Sequence, residues 1–171
     1  MLVTLDVGRK GEPYGSSLQE MFLLVMFAVQ TDAKNIFEFG TFLGQTAYNL
    51  SLNVPGRIHT LAIHSERDTK KAWEGHPLKG QIIAHHGNSS TFDFQPFIGQ
   101  MDLVFVDGDH THKGCWIESR NALKMLRRDG LVVWHDYAPC WPGVVCTLNE
   151  LSKEIPLVHL QHTSLVIHRG K

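Results

Sequence analysis

A chain of 171 residues is long enough for one domain with a real core and short for two. Hydrophobic residues at 43% and charged residues at 19% describe a folded globular protein and exclude a disordered one. A net charge of -1 gives no electrostatic case for nucleic acid or an anionic membrane, and the longest apolar run, Met21 to Val29, is far too short to span a bilayer.

Ser17 followed by Glu20 forms a capping box ahead of that run and predicts a helix over about 17–30. Five short apolar segments follow: Asn35–Phe39, Arg57–Ile63, Gln81–His86, Asp102–Asp107 and Leu131–Asp136. Their runs are near-continuous rather than alternating, the pattern of parallel strands covered on both faces. Between the fourth and fifth, Cys115, Ser119, Ala122, Leu123 and Leu126 recur at helical spacing. "RRDG" then supplies basic residues and a glycine where that helix is expected to stop. "PLVHLQ" and "SLVIHR", separated by His162 and Thr163, predict an antiparallel hairpin at the carboxyl end. With no repeat or linker, residues 1–171 read as a single α/β three-layer domain. The odd number of cysteines, Cys115, Cys140 and Cys146, and the lack of a visible signal peptide point to a reduced, cytoplasmic protein.

In open α/β sheets, ligands bind beyond the carboxyl ends of the strands. The first such end reads "NIFEFGTFLGQTAYNL", residues 35 to 50. Gly40 and Gly44 are spaced G-x-x-x-G, which is not the dinucleotide fingerprint, and no Walker lysine follows. A helix starting near Gln45 would offer backbone N–H groups to a carboxylate, and Glu38 would pair with a cation. An amino-acid head group carries both charges. The plainer alternative is a turn whose glycines serve only strand–helix packing.

"FEFGTFLGQTA" resembles motif I of class I S-adenosylmethionine-dependent methyltransferases. "DLVFVDGDHTHKG" and "LRRDGLVVWHDY" are similar to the branch holding catechol O-methyltransferase-like enzymes, metal-dependent sugar O-methyltransferases and cephalosporin-hydroxylase-type proteins. The resemblance covers roughly residues 15 to 169. It implies a three-layer α/β/α Rossmann-like methyltransferase fold with a seven-stranded mixed sheet in the order 3-2-1-4-5-7-6, closed by the terminal hairpin.

It also implies residue roles. Glu38, Gly40, Thr41, Gly44, Thr46 and Asp107 would hold the cofactor's methionine side, and Asn88 or Ser89 of "GNSS" would meet adenine. The family's second strand ends in an acidic residue that takes the ribose hydroxyls. Here Ala62 stands at that position, which leaves His64 or Glu66 as substitutes. Asp107, His135 and Asp136 match a metal site that binds magnesium in those relatives; the histidine would tilt preference towards manganese, iron, cobalt or zinc. His110, three residues past Asp107, matches the general base.

His85, His86 and His112 carry no comparable argument and read as structural or surface residues. Trp141, between Cys140 and Pro142, would overhang the site. The expected activity is metal-assisted O-methylation of a small-molecule acceptor. The alternative is a non-methylating relative, hydroxylase-like or catalytically degenerate. An NAD-dependent oxidoreductase is disfavoured by the missing third glycine. The short chain leaves the site shallow, or completed by a second copy in a homodimer.

Overall fold

The computed structural model describes residues 2–6, 16–63 and 71–171. Helix α1 (Leu18–Gln30) begins at the expected capping box: Glu20 N–H donates to Ser17 Oγ at 3.2 Å, and Ser17 N–H donates back to Glu20 Oε2 at 3.1 Å. Its Met21, Leu24, Val25 and Ala28 are buried, a stripe at helical period that packs on one face of the sheet.

The strands are β1 (Asn35–Phe39), β2 (Arg57–Ala62), β3 (Ile82–His86), β4 (Met101–Val106), β5 (Leu126–Trp134), β6 (Val158–His159) and β7 (Val166–Arg169). They form one sheet in the order β3-β2-β1-β4-β5-β7-β6, as the resemblance implies. β1 through β5 pair in parallel, whereas β7 runs antiparallel to both β5 and β6. Helix α2 (Gln45–Ser51) joins α1 on one face; α3 (His112–Met125) and α4 (Pro142–Leu151) cover the other.

Alternation along β1 separates the two cores. Ile36 faces the α1–α2 layer, and Phe37 and Phe39 face the α3–α4 layer, all three fully buried. Glu38 shares the parity of Ile36, so this strand carries a carboxylate into a core.

One element differs from the expectation, and one was not predicted. "RRDG" does not end a helix: α3 stops at Met125, and residues 127–130 already belong to β5. Arg127 is drawn instead to Asp102, whose Oδ2 also accepts N–H bonds from Lys34 and Asn35, each at 2.7 Å. Gly130 is needed because a Cβ there would lie 2.9 Å from the Met101 carbonyl, where the β4–β5 register shifts. Residues 142–151, for which no element was predicted, form α4. Pro142 starts it, and Val144, Leu148 and Leu151 face the core at helical spacing.

Candidate active site at the strand ends

The turn after β1 carries positive φ at Gly40 (90°), Phe42 (44°) and Gly44 (77°). Its glycines answer to the protein's own atoms. A Cβ on Gly40 would stand 2.0 Å from the Asp107 carbonyl oxygen, and one on Gly44 would stand 2.1 Å from the Trp73 ring. Packing alone already requires bare backbone at both positions: Gly40 lets the ends of β1 and β4 close, and Gly44 seats Trp73. The turn still borders open space. A cavity of about 50 Å³ is lined by Gly40, Thr41, Gly44, Thr46 and Asp107, and one of about 240 Å³ by Gly40, Ile63, Asn88, Ser89, Asp109 and Glu118. Gly40 belongs to both, so the two spaces meet at the turn.

Behind it, Thr60 Oγ1–H donates to Glu38 Oε2 at 2.5 Å, and the Thr41 and Thr60 hydroxyls lie 2.7 Å apart. The Thr46 hydroxyl also bonds Glu38. Glu38 is only 1% exposed, and burial pushes its carboxyl up to about 8, against the pull of these hydroxyls and of Lys71. Near neutral pH, Glu38 thus holds its proton until a further cation approaches. Lys71 is itself buried and donates to the Phe42 carbonyl.

At the ends of β4 and β5 the chemistry inverts. His110 Nε2 and Asp136 Oδ2 are 2.6 Å apart, and Asp107 Oδ1 lies 3.8 Å from the same nitrogen. The bond to Asp136 raises the His110 pKa, burial opposes it, and the charges of Asp136, Asp107 and Glu118 add to the rise. Asp136 takes a positive φ of 62°, the turn that follows β5. Hydrogen bonds from His110 and His135 hold its carboxyl far below the usual range, despite burial.

His135, 4% exposed, lies inward of this pair. Its Nδ1 is 3.2 Å from both Asp107 Oδ1 and Asp136 Oδ1, and its Nε2 is 3.4 Å from Glu20 Oε2. Burial disfavours its charge, but the two aspartates outweigh that and push its pKa up to about 11. The two converging carboxylates thus favour the charged form of the ring between them. Asp107, His110 and Asp136 bring one donor atom each within 4.8 Å of one another; the expected metal trio had His135 in place of His110.

Glu20 was read only as a cap, yet it also ties the hairpin to the site: its Oε1 accepts Ser164 N–H at 2.6 Å and Ser164 Oγ–H at 2.7 Å. The Trp141 ring lies 4.1 Å from that of His110, with Trp141 40% exposed. That is the predicted overhang.

On the ribose side, His64 and Glu66 lie outside the described residues. Ala62 is buried, and the described carboxylates lining the larger cavity are Asp109 and Glu118. Glu118, 4% exposed, accepts Asp109 N–H at 3.1 Å and bonds the Ser89 hydroxyl; burial raises it to about 7. It was missed although its spacing to Cys115 and Ala122 puts it on the buried face of α3. Asn88 Oδ1 accepts Ser90 N–H at 2.8 Å, shaping the "GNSS" turn beside the cavity.

A family described as a methyltransferase domain matches residues 37–137, more than half of the chain. No curated protein sequence matches. Among solved structures, the O-methyltransferase TomG of Streptomyces achromogenes, involved in tomaymycin synthesis and bound to SAM, superposes with a TM-score of 0.74 at 21% identity, over 91% of this chain and 81% of its own. A Bacillus cereus O-methyltransferase in complex with SAH gives 0.75 at 17% identity, over 94% and 84%. An SAH-bound Podospora anserina methyltransferase gives 0.75 at 18%, over 91% and 79%. These likenesses establish the shared fold.

Proposed function

The chain belongs to the methyltransferase-domain family, and on that premise we propose that it transfers the methyl group of S-adenosylmethionine to an oxygen of a small molecule, with His110 as the base. One observation carries the reading: the His110–Asp136 pair, 2.6 Å apart, stands at strand ends beside Asp107 and Gly40, which line the adjoining cavities. The cofactor's amino-acid end belongs with Glu38, Thr41, Thr46 and the Gly40–Gly44 turn. Its adenosine end belongs in the larger cavity, with Asn88, Ser89 and Glu118. Glu38 ionises as the ammonium arrives, so binding releases a proton near neutral pH.

For the chemical step, neutral His110 donates Nε2–H to Asp136 and keeps its lone pair on Nδ1. That nitrogen takes the acceptor's hydroxyl proton as the oxygen attacks the methyl carbon in line. The carbon–sulfur bond breaks, and the electron pair neutralises the sulfonium to give S-adenosylhomocysteine. The protein supplies alignment and the base; Asp136 fixes the tautomer and steadies the imidazolium that forms. Trp141 shields the His110 ring from water.

A second reading, with a divalent cation such as Mg or Mn, is favoured by the convergence of Asp107, His110 and Asp136. A cation there would act as a Lewis acid on the acceptor hydroxyl. A bound cation would take over the charge that the two aspartates otherwise draw onto His135. Incubation with S-adenosylmethionine and a panel of hydroxylated acceptors, with and without chelator and with mass-spectrometric detection of product, tests both. Turnover that survives chelation and vanishes in His110→Ala supports the base; turnover that vanishes on chelation and returns with Mg or Mn supports the cation. No methylated product across the panel, with no binding of S-adenosylhomocysteine, overturns the function itself.

A further inference from the structure

On the outer side of the α3–α4 pair, away from the strand-end carboxylates, three side chains of different chemistry converge. His112 is the first residue of α3, and Cys146 and Glu150 lie one turn apart on α4. His112 Nε2 is 3.1 Å from Glu150 Oε2, Cys146 Sγ is 3.7 Å from Glu150 Oε1, and one donor atom from each of the three lies within 4.8 Å of the other two. We propose that His112, Cys146 and Glu150 form a binding site for a borderline transition-metal ion of the zinc class, with water completing the shell.

The spacing fits that ion. Tetrahedral bonds of about 2.0–2.1 Å to nitrogen and oxygen and about 2.3 Å to sulfur put the N···O edge at about 3.4 Å and the S···O edge at about 3.6 Å. The 3.1 Å contact of His112 with Glu150 Oε2 is near the first edge, and the 3.7 Å contact of Cys146 reaches the other oxygen, Oε1, so a rotation of the Glu150 carboxylate brings one oxygen to both partners. The donor set also selects: a thiolate and an imidazole discriminate against magnesium and calcium. Coordination releases the Cys146 proton to solvent. Thiolate, carboxylate and neutral imidazole then balance a dication, leaving no net charge.

The backbone holds the donors in place before any ion arrives. Thr147 Oγ1–H donates to the His112 carbonyl at 3.1 Å, and the bare Cα of Gly143 sits so close that a Cβ there would be 2.6 Å from the His112 nitrogen. The side chains of His112 and Glu150 are about half exposed, at 48% and 46%, and Cys146 is exposed, so an ion can reach them. A bound ion would clamp the start of α3 to α4, the helix whose cap, Trp141, lies against His110.

Titration of reduced, metal-free protein with Co²⁺ reads the site directly, because a cobalt–thiolate bond produces a near-ultraviolet charge-transfer band that oxygen and nitrogen ligands do not. The expected result is a band saturating at an equimolar ratio and erased by Zn²⁺. The band should persist in Asp136→Asn and Cys140→Ser and disappear in Cys146→Ser. His112→Ala and Glu150→Gln should each weaken binding about tenfold or more, at least the effect of losing an outer-shell partner. No band, a band that survives Cys146→Ser, or one indifferent to His112→Ala overturns the proposal. All three positions are on the surface, so the variants should keep the wild-type circular dichroism.

Discussion

Two sets of paired histidines in this protein are tuned in opposite directions. His59 on β2 and His85 on β3 stack with ring centroids 5.3 Å apart and ring nitrogens at 3.1 Å, among Phe37, Phe92 and Phe97. Burial drives both towards the neutral form, His59 to about 4, with the His85 charge adding to the effect. His110 and His135, at the ends of β4 and β5, are also withdrawn from water, yet Asp107 and Asp136 raise both. Residue type is the same in each pair; the neighbours decide whether a proton can be exchanged at useful pH. An imidazole in a phenylalanine shell is packing, and one beside a carboxylate can serve as a base.

The largest test of that contrast is removal of the base. His110→Ala should lower turnover on the acceptor by about 10² to 10⁴, with cofactor affinity changed less than about twofold, because a general base acts only in the chemical step. His59→Ala should leave the chemical step intact. Equal losses from the two variants would dissolve the distinction.

Next in size is Gly40→Val. Its Cβ would meet the Asp107 carbonyl in a backbone of φ 90°, so the variant should lose about 3 kcal/mol or more of stability, read as a shifted urea midpoint. A normally stable variant that failed only to bind cofactor would show that the bare backbone serves the ligand and not the packing.

How much of this could be read beforehand followed from the kind of signal involved. The three layers were legible because buried parallel strands leave continuous apolar runs, and the strand order followed from the resemblance that motif I and the strand-four and strand-five motifs carry. The beginning of β5 was not, since "RRDG" obeys helix-stop chemistry locally while the pair of Arg127 with Asp102 of β4 overrides it. Asp107, His110 and Asp136 were visible as strand-end residues. The part played by His135 was not, because a ring between two carboxylates, backed by Glu20, depends on three elements that are far apart in sequence. Glu118 was hidden only by the habit of assigning mid-helix glutamates to solvent; its spacing was there to read.

The pH profile sharpens the comparison further. The base must be neutral to act, so the acid limb of the rate should lie above the ordinary histidine pKa of about 6.5 in wild type. In Asp136→Asn that limb should move to lower pH and the rate plateau should fall. A limb that stays in place would show that Asp136 does not hold the proton on His110.

Stability against pH gives effects of opposite sign in the two sets. His135 has a raised folded pKa, so its contribution is complete below about 6.5 and is lost as pH climbs towards about 11. His59 has a lowered one, so the unfolded chain binds more protons between about 6.5 and 4, and stability falls on acidification through that window. Thermal melts should show His135→Gln flattening the alkaline side and His59→Phe flattening the acid side. The reverse assignment would mean that the shells have been misread.

The most direct test of the account is calorimetric titration with S-adenosylhomocysteine at pH 7 in two buffers of different ionisation enthalpy. Glu38, held near 8 by burial, should give up its proton to the bound ammonium group. The account predicts equimolar binding with proton release in the wild type, and weaker binding without that release in Glu38→Gln. Failure of the wild type to bind, or binding with identical heats in the two buffers, would contradict it.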